Sequence, residues 1–143
     1  MADFADEFIT WVKTKSSITS LIGTGSSCRC YPDQLKQGVT LPAMVFYEGG
    51  GESEQYTAGM AGICRAVLHT LSYGATRTAA NNLDEAIRIA LSGQTMTMGS
   101  TFVTEVFCSA HRDTGTDGTD DASDAYRYWT HRVYDIWHVE ATS

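Results

Sequence analysis

Aspartates are concentrated in one polar stretch of the sequence. Counted from the first of them, acids or glycine occupy positions 1, 5, 6, 9 and 12 of a calcium loop, as Asp113, Asp117, Gly118, Asp121 and Asp124. Position 3 is Gly115 instead of an acid, position 12 lacks the longer bidentate glutamate, and the flanks are typical of strands. We therefore expect a solvated, flexible loop over residues 113–124, and the four aspartates that match the pattern are the alternative as metal ligands.

Histidines offer a second candidate centre. None of the four has a Cys, Asp or Glu partner at a recognisable catalytic or metal-binding spacing. His111 and His131 fall on two strands predicted to flank the same loop, so with Asp113 they could meet and hold a metal ion. A hairpin makes such proximity automatic, however, and the sequence lacks H-E-x-x-H, G-x-S-x-G and the phosphate-binding G-x-x-x-x-G-K-[ST]. We expect no catalytic centre, cofactor or metal, and a small metal-binding enzyme is the minor alternative.

The four cysteines do not match a zinc-binding pattern. Cys28 and Cys30 are separated by one residue, which is shorter than the usual C-x(2–4)-C spacing, and no second Cys or His pair complements them. Cys64 and Cys108 each stand alone in a strand-like segment. We expect free thiols, with Cys28 and Cys30 facing the core as small apolar side chains.

Glycines dominate the stretch from residue 49 to residue 62. Three of them are consecutive, but no helix follows and no Lys or Arg is near, while Glu48, Glu52 and Glu54 would repel a phosphate. A glycine-rich backbone is costly to fix, so this stretch is predicted to be a mobile connection or an extended hairpin tip.

Composition limits the possible functions further. The chain has 143 residues, 10 basic and 17 acidic side chains, and a formal net charge of −7. This length is typical of one domain, which we expect to span residues 1–143. The acidic excess argues against phosphate-directed nucleic-acid binding and against an anionic membrane surface. No apolar run approaches the roughly 20 residues of a membrane helix, and no secretory signal pattern is visible, so we expect a protein made in a cytosol.

Hydrophobic periodicity places these residues on a small set of elements. Apolar residues recur at helical spacing over 3–14, 16–22 and 76–92, where Leu83, Ile87 and Leu91 form the predicted buried stripe. Strand patterns cover residues 29–31, 42–48, 63–73, 101–111 and 125–140. This order predicts an α+β fold in which helices pack on one face of a mostly antiparallel sheet. The other face of the sheet would then remain uncovered.

The layout resembles one family, the tail terminator or tail completion proteins of long-tailed phages. The resemblance rests on ITSLIG at 18–23, RCYP at 29–32, LPAMVFY at 41–47, RAVLHTLSY at 65–73 and YDIWH at 134–138. It also rests on a helix similar to A-x-x-L-x-x-A-I-x-x-A-L, formed by Ala80, Leu83, Ala86, Ile87, Ala90 and Leu91. These motifs span nearly the whole chain, but they correspond to helices and strands and include no catalytic or ligand-binding signature.

The resemblance implies a structural virion protein at the head–tail junction. Members of the family assemble into a ring, usually a hexamer, that contacts the tail tube protein and a head–tail connector or neck protein while DNA passes through without sequence-specific binding. Another head-completion, neck or minor tail protein is the alternative. In such a ring, Glu48, Glu52, Glu54 and Tyr56 are the residues expected to line the passage or an interface, although the glutamates could equally serve to keep a glycine-rich loop soluble.

Overall fold

The computed structural model describes residues 4–35, 38–49, 63–98, 101–117 and 127–139. These residues form three helices, α1 (Phe4–Val12), α2 (Ser16–Ile22) and α3 (Arg77–Leu91), and a short 3₁₀ turn at Gly25–Ser27. The strands are β1 (Cys30–Pro32), β2 (Ala43–Glu48), β3 (Ile63–Gly74), β4 (Met96–Met98), β5 (Thr101–Asp117) and β6 (Arg127–Val139). None of the described helices is long and apolar enough to cross a membrane.

The described strands form one six-stranded sheet in the order β1-β2-β3-β6-β5-β4. β1 is parallel to β2, and every other pair is antiparallel. The last strand in the chain, β6, therefore lies in the interior of the sheet between β3 and β5. The predicted α+β fold with a mostly antiparallel sheet is confirmed.

The helices share one core with a single face of the sheet. The predicted stripe of α3 is confirmed, since Leu83, Ile87 and Leu91 are fully buried. On β3, the side chains that face this core are the smaller of the two alternating sets, including Leu68 and Thr70. Small residues on the strand let α3 approach the sheet closely.

The ends of α3 show how local sequence sets its position. Thr76 is the N-cap, and its Oγ1 accepts a hydrogen bond from the backbone N–H of Ala79 at 3.1 Å. Gly74 ends β3 immediately before this cap, and a Cβ there would lie 2.5 Å from the backbone nitrogen of Ala80. Glycine at this position therefore permits close contact between the strand end and the first turn of the helix. Gly93, with φ of 70°, follows the last turn.

An ion pair lies within the helix–sheet interface. Asp84 of α3 is fully buried and Arg132 of β6 is 7% exposed. Arg132 Nε lies 3.1 Å from Oδ1 of Asp84, and Nη2 lies 2.7 Å from Oδ2. The hydrogen bonds to Asp84 raise the pKa of the Arg132 guanidinium, so the guanidinium remains charged. One helical turn earlier, Asn81 Oδ1 accepts a hydrogen bond from Thr130 Oγ1 at 2.8 Å.

The structure corrects the predicted elements in two places. β5 continues to Asp117 and pairs with β6 down to Arg127, so the prediction of a loop beginning at residue 113 is wrong for residues 113–117. β4 was not predicted, because three residues are too few to show a period. Cys30 is buried and Cys28 is half-buried against the core, in agreement with the expectation that both pack as small apolar side chains.

Candidate functional site

The face of the sheet opposite the helices carries many apolar and aromatic side chains. Because side chains alternate along a strand, the residues of β3 and β6 that lie between the core positions point to this face, and they are half-buried. They include Val67, Leu71, Trp129, Val133 and Trp137. On β5, Phe102 and Phe107 are 47% and 53% exposed. We call this surface the uncovered face; it is a candidate site for contact with another protein.

A row of polar rings crosses the uncovered face. The ring of Tyr47 on β2 stacks on His69 of β3 at 4.5 Å between centroids, and His69 stacks on His131 of β6 at 5.2 Å. His69 Nδ1 lies 2.9 Å from His131 Nε2. His131 Nδ1 lies 3.8 Å from Asp113 Oδ2 on β5, directly opposite in the strand pairing. Four adjacent strands are thus connected through side chains, and we call these residues the histidine row.

The two histidines of the row differ in their surroundings. His69 Nε2 lies 2.8 Å from the carbonyl oxygen of Gly49, the residue that follows β2. The pKa of His131 is lowered by burial and by His69, and Asp113 opposes this effect. The imidazoles of the row can therefore bind and release protons, so the row is suited to acid–base chemistry.

Sequence reasoning found part of this group. It placed His111 and His131 on two strands that flank one loop and expected both to meet Asp113 at the start of that loop, and the structure brings His131 and Asp113 together. It named His111 as their partner, but the partner with described contacts is His69, which is 62 residues from His131 in the sequence. The side chain of His111 lies outside the described part. No local spacing indicates the His69 contact, because it depends on β6 pairing with β3.

The aspartates proposed as calcium ligands do not lie on a described loop. Asp113 and Asp117 belong to β5, where they pair with His131 and Arg127 of β6. Asp121 and Asp124 lie outside the described residues. An extended strand separates successive side chains, whereas a calcium loop turns sharply to direct them at one point. Within the described ranges, no group of three or more His, Cys, Asp or Glu residues could hold a metal ion.

The acidic residues expected at a passage or interface are only partly described. Glu48 is the last residue of β2, is exposed, and pairs with Leu68 of β3. Glu52, Glu54 and Tyr56 lie outside the described residues, so their role remains a prediction.

Comparisons with known proteins concern both the sequence and the fold. Residues 7–131 match the family described as Tail completion protein gp17. No curated protein matches the sequence. Among solved structures, a chain from the virion of a native gene transfer agent (GTA) particle has a similar fold, with a TM-score of 0.58 and 11% sequence identity over 92% of this chain and 91% of that one. At this identity the likeness shows the shared fold alone.

The family match covers most of the chain, including all three helices in whole or in part and the pairing of β3 with β6 up to His131. The predicted resemblance is thereby confirmed. The chain belongs to the family of tail completion protein gp17, and it is a structural component of a phage tail.

Proposed function

We propose that the protein is one subunit of a ring, most simply a hexamer, that closes the tail tube at the head–tail junction. Its partners are other copies of the chain, the tail tube protein, and a head–tail connector or neck protein, and DNA passes through the centre. Membership of the tail completion family over residues 7–131 is the observation that carries this proposal. The apolar uncovered face supports it, because a closed ring requires each subunit to bury surface against two neighbours.

The edge of the sheet near β4 supports a location for the proposed ring contact. Among the described strands, β4 pairs with β5 only at Thr101–Val103. The segment after α3 contacts the same edge as far as Val106, whose carbonyl accepts from the Gly93 N–H at 3.0 Å, and beyond Val106 no described strand lies on that side. The exposed Phe102 and Phe107 lie on this same strand. An open strand edge beside exposed aromatic side chains is a common site of protein association. We assign this part of β5 to the contact with a neighbouring subunit.

Substitution on β5 tests the subunit contact. Phe107→Asp places a charge on the proposed interface without changing the core, and Ile89→Asp, at a 62% exposed position of α3, is the matched control. We expect Phe107→Asp to remain folded but to lose rings in size-exclusion chromatography with light scattering, and Ile89→Asp to assemble like the unmodified protein. Normal rings from Phe107→Asp would show that β5 is not part of the contact between subunits.

Images of complete particles test the location in the tail. Labelled protein at the upper end of the tail tube supports the proposal, whereas label within the head, the neck or along the tube would assign the chain to another completion or neck component.

An acidic passage is a second part of the proposal. Replacing Glu48, Glu52 and Glu54 by Lys should create salt-sensitive retention of DNA by assembled rings if these residues line the passage. Rings that assemble normally and still show no affinity for DNA at low ionic strength would mean that the glutamates serve solubility instead.

A further inference from the structure

The histidine row has one consistent arrangement of protons when both rings are neutral. The carbonyl oxygen of Gly49 can only accept a hydrogen bond, so His69 Nε2 must carry the proton that is donated to it. A neutral His69 then has an unprotonated Nδ1, which must accept from the Nε2–H of His131. The remaining nitrogen, His131 Nδ1, carries no proton and faces the carboxylate of Asp113 at 3.8 Å.

This arrangement fixes where the first two added protons go. The geometry directs the first proton to His131 Nδ1, where it pairs with Asp113 and leaves the His69–His131 hydrogen bond intact. Burial lowers the pKa of His131 despite Asp113, so this uptake occurs below the ordinary pKa of a histidine. A second proton can bind only His69 Nδ1, and that nitrogen would then present a donor to the Nε2–H donor of a positively charged His131. One of the two rings must then turn away. The ion pair with Asp113 holds His131 in place, so we assign the movement to His69, and because its ring is rigid, Nε2 leaves the Gly49 carbonyl as well.

The other charged residues near the histidine row lie further along the strands than Asp113. Tyr47 is the titratable residue of β2 that contacts the row, through the face of its ring. On the same face, Arg65 lies four residues before His69 on β3, and Arg127 and Asp135 lie four residues to either side of His131 on β6. Glu105 of β5 pairs with Trp137, further along the sheet. Asp113 is the carboxylate with a described contact to His131 Nδ1.

We propose that His69, His131 and Asp113 form a two-step proton switch on the uncovered face. Uptake of one proton fastens Asp113 of β5 to β6, and uptake of a second breaks the row and releases the carbonyl oxygen of Gly49, the residue after β2, whose N–H continues to donate to Val67. The switch operates within one subunit, so it does not depend on the ring. It makes both the Asp113 end of β5 and the exit from β2 sensitive to mild acid.

Nuclear magnetic resonance of the full chain, labelled with ¹⁵N, tests the proton positions. At pH 8 we expect both imidazoles as the Nε2–H tautomer, and on acidification His131 should take up its proton at Nδ1 before His69 is protonated. A His131 ring with its proton on Nδ1 at pH 8, or protonation of His69 first, would overturn the proposal.

Two carboxylate variants test the role of Asp113. Asp113→Asn should lower the pKa of His131, because the opposing carboxylate is lost, whereas the matched control Asp135→Asn should leave it unchanged. Equal pKa values of His131 in Asp113→Asn and the unmodified protein would contradict the first step.

Hydrogen exchange tests the release of the Gly49 carbonyl. The Gly49 amide itself donates to the Val67 carbonyl at 3.2 Å, and this bond should open more often once the neighbouring bond from His69 is lost. After correction for the intrinsic dependence on pH, exchange of the Gly49 amide should accelerate roughly two- to tenfold as His69 is protonated, which corresponds to the free energy of one hydrogen bond. The His69→Gln variant keeps an N–H donor but does not titrate, so it should show no such acceleration. Acceleration of equal size in His69→Gln, or none in the unmodified protein, would contradict the second step. The His69→Gln variant is first checked for a native spectrum. The comparison with Asp113→Asn does not depend on this variant.

Discussion

The buried ion pair between Asp84 and Arg132 should dominate the response of the core to substitution. Asp84 is completely enclosed, and its carboxylate accepts hydrogen bonds from Nη2 of Arg132 at 2.7 Å and from Nε, which is shared between the two oxygens at 3.1 and 3.2 Å. Removing one partner leaves the other as an uncompensated charge in the interior. We therefore expect Asp84→Leu or Arg132→Met alone to reduce the free energy of unfolding by about 3–5 kcal/mol.

The double substitution should behave differently. With both charges removed and apolar side chains of similar volume in their place, the desolvation cost disappears together with the attraction. Replacements of this kind range from neutral to about 1–4 kcal/mol stabilising. The double variant should thus be more stable than either single variant, and the coupling energy should exceed about 2 kcal/mol.

Urea unfolding and thermal unfolding of all four proteins measure this coupling. For a chain of this size the single variants should melt roughly 10–20 °C below the unmodified protein. Arg132 also contacts Cys108 Sγ at 3.5 Å, so Cys108→Ala is a useful control that should have a small effect. Single variants that cost under about 1 kcal/mol, or effects that simply add in the double variant, would refute the reasoning that the pair is buried and mutually dependent.

Four further predictions follow from individual residues. Leu83→Ala and Ile87→Ala should each cost about 2–5 kcal/mol in urea unfolding, since both side chains are fully buried, and near-neutral midpoints would show that the helix face is misassigned. Gly74→Ala should cost about 1–3 kcal/mol, because its methyl group would meet the backbone of α3, and an unchanged midpoint would show that the contact is loose. Because the folded-state pKa of His131 is lowered, stability should fall as pH drops through about 6.5 toward that pKa, and His131→Gln should reduce this dependence in unfolding measured between pH 5 and 8. Deletion of residues 50–58 should spare folding but impair ring assembly, and an undiminished yield of rings would exclude the segment from the interface.

Elements with a strong period could be predicted from the sequence. The apolar stripe of α3 repeats at helical spacing over several turns, and the alternation along β3 separates its two faces correctly. The Asp-, Thr- and Gly-rich end of β5 could not be predicted as a strand, because Asp and Gly have weak strand preference and no apolar residue marks a buried face. Its extended form depends on pairing with β6, so a tertiary contact overrides local preference.

The important polar contacts also lay beyond local sequence patterns. Asp84 occupies a helical segment rich in polar residues, where an exposed position is the usual outcome, and its partner Arg132 is 48 residues away. His69 similarly depends on a residue 62 positions later. In both cases the missing information was the strand order, which places β6 next to β3 and under α3.

The interior position of β6 has a consequence for the order in which the fold can form. β3 and β5 have no direct pairing in the described sheet, and β6 is the strand that joins them. Until residues 127–139 are in place, each of these two long strands has an edge without its native partner, and α3 lacks the arginine that pairs with its buried aspartate. Folding should therefore be comparatively slow, since its decisive contacts join distant parts of the chain. Intermediates that lack a docked β6 should be prone to aggregate through these edges.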